Sequence, residues 1–514
     1  MGKLLIQNIN QGGISDTKYV GLDKSMAEIV GMDIHGEPGL IQVNQRLKKD
    51  SGTTIDDFVK AGVVCSDGNT YFFGSTNGNI WKRTSAGVYT LEATNANGGI
   101  LNAQEYEGYV YYFSANTIGR WKIGDAWSAR TDSWEPFKNG NATYHPSEVL
   151  NIVLYVGDGN LVAEIREYGR DSCDLEGTST ERTSLVKPAE GMYYYDITTN
   201  TIWTVTAGVW VNLGVTTYTV FTNNALDIEK KYIVSALTKW NYQLIIGTIV
   251  TNESKCKIFR WDTWSISYAS EDEIPVRGVN GFIETDNYVL CNCGEKGDLY
   301  TFDGSVARQV KKIPGNYGVG KTMIINPNAS ENYLGDPLFG VSNLNGNPCL
   351  QGVYSFTSYS EGYNTVLNLE YPISQKQAPV PLNYIYIGAI LNFGDNIFVT
   401  WKDGATYGID IIDTANKASD AYMTTRKLMV DRGTETLHKA VKIGYRDLPA
   451  GCDVEVWVSV NDAAYVKRDT LKDTTKKIIY TKENVAQATS VQYKFVPIVS
   501  GNDAPSIEII EINY

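Results

Sequence analysis

At 514 residues the chain is too long for one ordinary hydrophobic core, and 48 Gly, 34 Tyr and 11 Trp against only 7 Met favour strands and turns over helices. The balance of 45 Lys and Arg against 58 Asp and Glu leaves a formal charge of −13, which excludes a general DNA- or RNA-binding surface. No apolar run approaches membrane-spanning length, and the opening Met1–Gly13 lacks the apolar stretch of a signal peptide, so the sequence predicts no membrane span and no export signal.

The first apolar segment, Ile29 to Val43, predicts a strand that closes a ring with the last repeat. From there a loose unit recurs at intervals of about 40 to 60 residues, the spacing of propeller blades. Each unit is an aromatic or aliphatic strand, a Gly/Asn/Asp turn and a returning strand: Tyr71–Trp81, Tyr109–Trp121, Ile152–Val162, Tyr242–Gly247 with Cys256–Trp261, Tyr288–Phe302, Pro337–Ser342 with Gly352–Phe356, and Asn396–Asp410. A continuous apolar run reads as a strand buried on both faces, and the glycine permits the positive φ of a tight turn. A lone hairpin of this kind is marginal, whereas radial stacking buries both faces and leaves only short edges. Seven units predict a seven-bladed β-propeller, with eight as the alternative because a divergent blade escapes the pattern.

Between the third and fourth units the interval doubles. Residues 171–217 fill it with two aromatic strands around the polar turn Asp196-Ile-Thr-Thr-Asn200, which predicts a small inserted β-module on one propeller face. Its polar approach, Asp171 to Glu190, reads as mobile. From about Ala421 the blade rhythm gives way to clean alternation, as in Asp453–Val460 and Val491–Ile498, which predicts a C-terminal antiparallel β-sandwich ending on the strand Ile507–Tyr514. The expected organisation is an all-β chain with an N-terminal arm (1–28), a first propeller part (29–170), the inserted module (171–217), a second propeller part (218–420) and the sandwich (421–514).

Candidate chemistry is sparse. With only His35, His145 and His438, none beside a companion His, Cys or Ser at a recognisable spacing, the sequence predicts no catalytic residue, metal site or cofactor. Seven cysteines (65, 173, 256, 291, 293, 349 and 452), an odd number scattered through a long chain, read as free thiols from a reducing compartment. The pair Cys291 and Cys293 lacks the further ligands of a zinc site. Asp67-Gly68, Asp158-Gly159, Asp303-Gly304 and Asp403-Gly404 could offer oxygens to calcium, but the same pairs are what tight hairpins require. Glu271, Asp272 and Glu273, or Asp56 and Asp57, could be imagined as a glycosidase acid and nucleophile, although true pairs come from separate loops and adjacent acids are more often solvated charge. The dipeptide Trp261-Asp262, within Trp261-Asp-Thr-Trp264, occurs once where a repeat signature would recur. Tyr193, Tyr194, Tyr195, Trp203 and Trp210 form the densest aromatic cluster. They suit sugar stacking or partner contact, and equally the core of a very small sheet.

Four segments carry a resemblance. The opening Asn8-Ile-Asn-Gln-Gly-Gly-Ile-Ser-Asp-Thr-Lys-Tyr-Val-Gly21, the segment Gly31-Met-Asp-Ile-His-Gly-Glu-Pro-Gly-Leu-Ile-Gln-Val-Asn44, the aromatic hairpin of the inserted module, and Ser459–Tyr465 with Pro505–Tyr514 resemble propeller-containing virion proteins of tailed bacteriophages, in particular the tail nozzle of short-tailed phages. The resemblance implies a non-enzymatic structural subunit of the virion tail, made in the host bacterial cytoplasm. It further implies a homo-oligomeric ring, most simply a hexamer, that contacts other phage tail proteins (adaptor and fibres) and lets DNA pass without sequence-specific binding. The acidic charge suits such a wall, since basic walls would hold phosphates. The rival expectation is a tail-tip receptor- or glycan-binding protein that uses the aromatic insertion, with or without glycan hydrolase activity.

Overall fold

The computed structural model describes residues 3–7, 11–15, 24–37, 39–52, 54–140, 142–314, 323–343, 351–358, 365–375, 385–429, 436–472, 478–488 and 490–513. The chain folds as a seven-bladed β-propeller extended by two further β-sheet regions. Blades 1 to 5 are four-stranded antiparallel sheets. Blade 1 comprises Val59–Val64, Thr70–Gly74, Asn79–Arg83 and Tyr89–Thr94, and blade 2 comprises Ile100–Tyr106, Tyr109–Ser114, Thr117–Lys122 and Thr131–Pro136. Blade 3 runs from Ser147–Leu150 through Val153–Asp158 and Leu161–Tyr168 to Tyr218–Asp227. Blade 4 spans Tyr232–Trp240, Gln243–Val250, Cys256–Trp261 and Ser270–Ile274, and blade 5 spans Val279–Glu284, Val289–Cys293, Asp298–Phe302 and Ala307–Lys312. Blade 6 contains Ser330–Tyr333, Asp336–Asn343, Gly352–Thr357 and Val366–Pro372.

The second strands show why the repeat is visible in sequence. Thr70–Gly74, Val153–Asp158 and Val289–Cys293 are buried at every position, because neighbouring blades cover both faces. Outer strands such as Tyr89–Thr94 are mostly exposed and carry no comparable apolar run. The Asp-Gly pairs sit in turns with Gly68, Gly159, Gly304 and Gly404 at positive φ. Their carboxylates serve the fold: Asp303 accepts from the Ser305 and Val306 backbone N–H groups at 3.0 and 3.1 Å, and Asp158 accepts from Asn139 N–H at 2.9 Å.

Ring closure uses the start of the chain. Blade 7 is built from Ile385–Phe393, Asn396–Asp403 and Thr406–Lys417, and its outer strand is Gln45–Lys49, paired antiparallel with Thr406–Lys417. The closing strand therefore lies just beyond the predicted Ile29 to Val43. An outer strand needs one covered face, and only Leu47 of the five residues is buried, so its apolar signal is weak. On the inner side, Gly388 of blade 7 meets blade 1 so closely that a Cβ there would lie 1.9 Å from the Val59 carbonyl oxygen. The Thr400 hydroxyl donates to that same oxygen at 2.8 Å.

The apolar residues of Ile29 to Val43 serve elsewhere. Met26–Val30 joins blade 6 to Tyr422–Thr425, and the sheet continues through Ser490–Ile498 and Asp453–Val460 to Val466–Leu471. The sandwich predicted from Ala421 is thus continuous with blade 6 through one shared sheet, and within the predicted arm 1–28 the strands Lys3–Gln7 and Met26–Val30 pair into the two sheets of this region. Its second sheet has the order Lys3–Gln7, Ile507–Asn513, Thr436–Tyr445, Ile478–Ala488, so strands from both ends of the chain are neighbours. One apolar core runs from Ile283 and Leu290 of blade 5, through Phe339, Tyr354 and Leu367 of blade 6, to Val454, Tyr493, Ile507, Ile510 and Ile512. Of the quoted sequence segments, Asn8–Asn10, Asp16–Gly21, Pro38, Cys349 and Tyr514 lie outside the described residues.

Candidate functional site

The inserted module occupies the connection between the third and fourth strands of blade 3. Its sheet consists of Leu175–Gly177, Tyr193–Asp196, Thr201–Thr206 and Val209–Asn212. The approach predicted as mobile contains a short helix, Ser179–Ser184, begun by a capping box in which Thr178 Oγ1 accepts from Glu181 N–H while the Glu181 carboxylate accepts from Thr178 N–H. Arg182, which is buried, donates to the Asp196 carboxylate at 3.2 Å and lies 3.4 Å from the Trp203 ring centroid. Asp196 is held below its ordinary value: burial opposes ionisation, but hydrogen bonds from Ser179, Thr199, Arg182 and Thr198 outweigh it.

This packing places the aromatic cluster. Tyr194 is 2% exposed and Tyr195 is buried. Tyr194 and Trp210 meet edge to face at 5.6 Å, Trp203 is capped by Arg182, and Tyr193 stacks on Tyr168 of blade 3 at 3.9 Å. These rings form the small core of the module and its joint with the propeller. Tyr194 and Tyr195 present no face for stacking a ligand.

The imagined carboxylate pairs are spent on structure. Glu271 and Glu273 on the fourth strand of blade 4 pair with Lys257 and Lys255 at the start of the third, and Asp272 accepts from Ala307 N–H. Asp57 is buried and accepts from the backbone N–H groups of Phe58, Thr76 and Asn77, while Asp56 accepts from Asn79 Nδ2 at 3.0 Å. Of the histidines, His145 stacks on Phe137 with centroids 3.8 Å apart and places Nδ1 2.7 Å from the Gly157 carbonyl, and His438 lies on Thr436–Tyr445. The Cys291 and Cys293 thiols are fully buried, which raises both well above the ordinary thiol value.

Two polar constellations do converge. The first is the segment Gly31–Asn44 against blade 6. Asp33 accepts from His35 and Gly36 N–H at 2.8 Å each, His35 Nε2 lies 3.6 Å from Glu370 Oε1, and Asn44 Nδ2 donates to Glu370 Oε2. Ser355 and Asn368 also donate to Glu370 Oε1, at 2.7 and 2.8 Å, and Asn368 Nδ2 donates to the Met32 carbonyl at 2.7 Å. Burial pushes Glu370 up to about 7, where its two protonation states are comparably populated at neutral pH, and depresses His35, which favours its neutral form. His35 was legible as a histidine without a sequence-near partner. The partners of its ring, Ser355 and Glu370, lie more than 300 residues away, and no local pattern marks them.

The second is the mouth of the propeller axis, a cavity of about 720 Å³. Glu148 of blade 3, Glu284 of blade 5 and Glu331 of blade 6 line it, with Thr238 and Asn241 of blade 4. Burial raises Glu331 to about 7, with the Glu148 charge adding to the shift. Glu148 is also raised by burial, and Lys239 at 3.2 Å opposes that shift. A carboxyl raised to about 7 by burial is chemically able to donate a proton near neutrality. Further down the axis the residues 326–328 cross the channel. Asn328 Nδ2 donates to the Lys60 and Leu101 carbonyls of blades 1 and 2 at 2.7 and 3.1 Å, and Asn326 Nδ2 donates to the Ile387 carbonyl of blade 7. These bonds tie the segment before blade 6 to blades 1, 2 and 7 across the axis.

No protein-family model and no curated protein matches the chain. Among solved structures, virginiamycin B lyase from Staphylococcus aureus is similar at 14% identity and a TM-score of 0.42, covering 72% of this chain and 99% of that one. The Dos1 propeller is similar at 10% identity and a TM-score of 0.35, covering 71% and 93%. The extracellular domain of a hybrid two-component system of B. thetaiotaomicron is similar at 12% identity and a TM-score of 0.39, covering 83% and 47%. At these identities the likeness concerns the propeller fold alone.

Proposed function

We propose that this chain is a non-enzymatic structural subunit of a bacteriophage tail, a nozzle-type protein that assembles as a homo-oligomeric ring, most simply a hexamer, between an adaptor and the fibres. The observation that carries the reading is the fate of Gly31–Asn44. Asp33, His35 and Asn44, which carry much of the resemblance, are half-buried and tied into the clamp with Glu370, Ser355 and Asn368 rather than displayed in a cavity. Residues with that role are architectural. DNA would pass through the ring of subunits and not along the axis of one propeller, which residues 326–328 bridge with hydrogen bonds to blades 1, 2 and 7. A chain with a formal charge of −13 gives such a passage a wall that phosphates do not grip.

The rival, glycan recognition or hydrolysis through the insertion's aromatic residues, loses support because Tyr194 and Tyr195 are buried and Trp203 is capped by Arg182. Mass photometry and electron microscopy of the purified chain over a rising concentration series test the proposal. Closed rings of one copy number, with no turnover of phage-receptor glycans, are the expected result. A chain that stays monomeric at every concentration and mixed with an adaptor, or chelator-sensitive hydrolysis lost on His35→Gln or His145→Gln, would overturn it.

A further inference from the structure

Trp264 lies on the connection between the third and fourth strands of blade 4 and is 80% exposed, in a protein that buries most of its large aromatic rings. Its loop is nevertheless firmly built. Asp262 accepts from the Trp264 and Ser265 backbone N–H groups at 3.0 and 2.8 Å and from the Ser265 hydroxyl at 2.7 Å, and the buried Trp261 indole donates to the Ser265 carbonyl at 2.7 Å. Thr263 beside it has a φ of 69°, and Ile152 on the facing loop of blade 3 has a φ of 58°. Both are β-branched, the class for which the left-handed region is most strained, and such strain persists only where the surroundings impose it. Ile152 is itself 60% exposed.

Between these loops is a cavity of about 230 Å³, walled by Ile152, Arg166, Thr263 and Trp264 and closed on one side by Asp171 and Ser172 from the start of the inserted module. It is smaller than the roughly 300–1,000 Å³ of pockets for drug-sized ligands, and suits a single ring of a longer molecule. Its chemistry is divided. Trp264 and Ile152 offer apolar surface, while Asp171 offers a carboxylate, and the Arg166 Nε–H has no hydrogen-bond partner among the described residues. A pyranose is divided in the same way, with one C–H face that stacks on an indole and an edge of hydroxyls.

The geometry points to a saccharide-binding site at the junction of blades 3 and 4 and the inserted module, with Trp264 as the stacking platform. The inference does not rest on the tail-nozzle reading, and it moves sugar contact from the buried Tyr194 and Tyr195 to an exposed ring. It also gives the insertion a role, since deleting it removes one wall of the cavity. Ile266 beside Trp264 is also 98% exposed, and what distinguishes the site from a purely apolar contact patch is that Asp171 and Arg166 line the cavity next to Trp264 and Ile152.

The test is an array of hexose, N-acetylhexosamine and uronic-acid oligosaccharides probed with the full chain, followed by calorimetric titration of the best binder. Because Trp264 is so exposed, Trp264→Ala should keep the wild-type melting temperature while weakening binding about tenfold or more, and Trp264→Phe should recover part of the loss. Absence of binding across the array, or binding unchanged in Trp264→Ala, overturns the site. Loss of ring assembly in Trp264→Ala without any saccharide binding would mark the surface as a protein contact and likewise overturn it.

Discussion

The inserted module and the C-terminal sandwich are both β-sheet additions to one ring, and they are attached in opposite ways. The module hangs between two strands of blade 3 whose ends, Tyr168 and Tyr218, are cross-strand partners, and it packs a small core of its own around Tyr194, Ile202 and Val205. The sandwich has no such independence. Blade 6 continues through Met26–Val30 and Tyr422–Thr425 into its sheet, and the apolar core does not break at the boundary. Size and sequence position say little about autonomy, which depends on whether the backbone ladder and the core cross the junction.

The largest expected effect comes from removing Ile507–Tyr514. Ile507–Asn513 lies between Lys3–Gln7 and Thr436–Tyr445, and Ile507, Ile510 and Ile512 are fully buried. Each buried Ile lost from a packed core costs about 2–5 kcal/mol, and together they rival the roughly 5–15 kcal/mol margin of a whole domain. Alternation in the sequence suggests that a propeller core of about 400 residues would survive this truncation and resist protease. With one core shared by blades 5 and 6 and the sandwich, the truncated chain should instead lose protection in both regions together. A stable propeller fragment in limited proteolysis would show that the junction is weaker than its continuous sheet implies.

A smaller effect probes the polar part of the same junction. Burial lifts Glu370 from an ordinary 4.5 to about 7, so the folded state binds this proton more tightly than the unfolded chain does. That contribution is complete below the ordinary carboxylate value and is lost as pH rises through about 7. His35, depressed by burial and facing Asp33 and Asp336, acts in the other direction, and its contribution is lost as pH falls below its ordinary value. Glu370→Gln should therefore flatten the fall in stability between about pH 5 and pH 8 by about 1–3 kcal/mol, read as melting temperatures against pH, while leaving the acid limb governed by His35 in place. An unchanged alkaline limb would mean that Glu370 is ionised in the folded protein and satisfied by Asn44, Ser355 and Asn368.

The same contrast explains what the sequence revealed. The second and third strands of each blade were legible because stacking buries both their faces, as in Thr70–Gly74 and Val289–Cys293. The closing strand Gln45–Lys49, with Leu47 alone buried, carries too little apolar pattern to be placed, and the apolar residues just before it drew the assignment instead. The continuity of blade 6 with the sandwich was invisible, because its ladder joins residues 26–30 to residues near 369 and 423. At the candidate sites, aromatic density pointed to Tyr193–Tyr195, where density reflects a small core. Trp264 stood out only as part of a single Trp-Asp-Thr-Trp run, since one exposed ring leaves no periodic trace. The three channel-mouth glutamates come from three blades, a convergence that spacing cannot show.

The smallest expected effect is on the module's side of the comparison. Replacing residues 171–217 by a short Gly/Ser linker leaves the register of Leu161–Tyr168 with Tyr218–Asp227 intact, because the two ends already face one another. What is lost from the propeller is the Tyr168–Tyr193 stack at 3.9 Å and the looser Tyr193–Tyr218 contact at 6.0 Å. Aromatic pairs of this kind contribute about 0.5–1.5 kcal/mol beyond their buried area. The deletion should lower propeller stability by about 1–2 kcal/mol in a denaturant melt with the transition still cooperative. Its contrast with the terminal truncation is the point of the experiment: some 47 residues removed at little cost, against eight removed at the cost of the fold. If the deletion instead abolishes folding, the module is part of the ring's core, and the difference between the two attachments disappears.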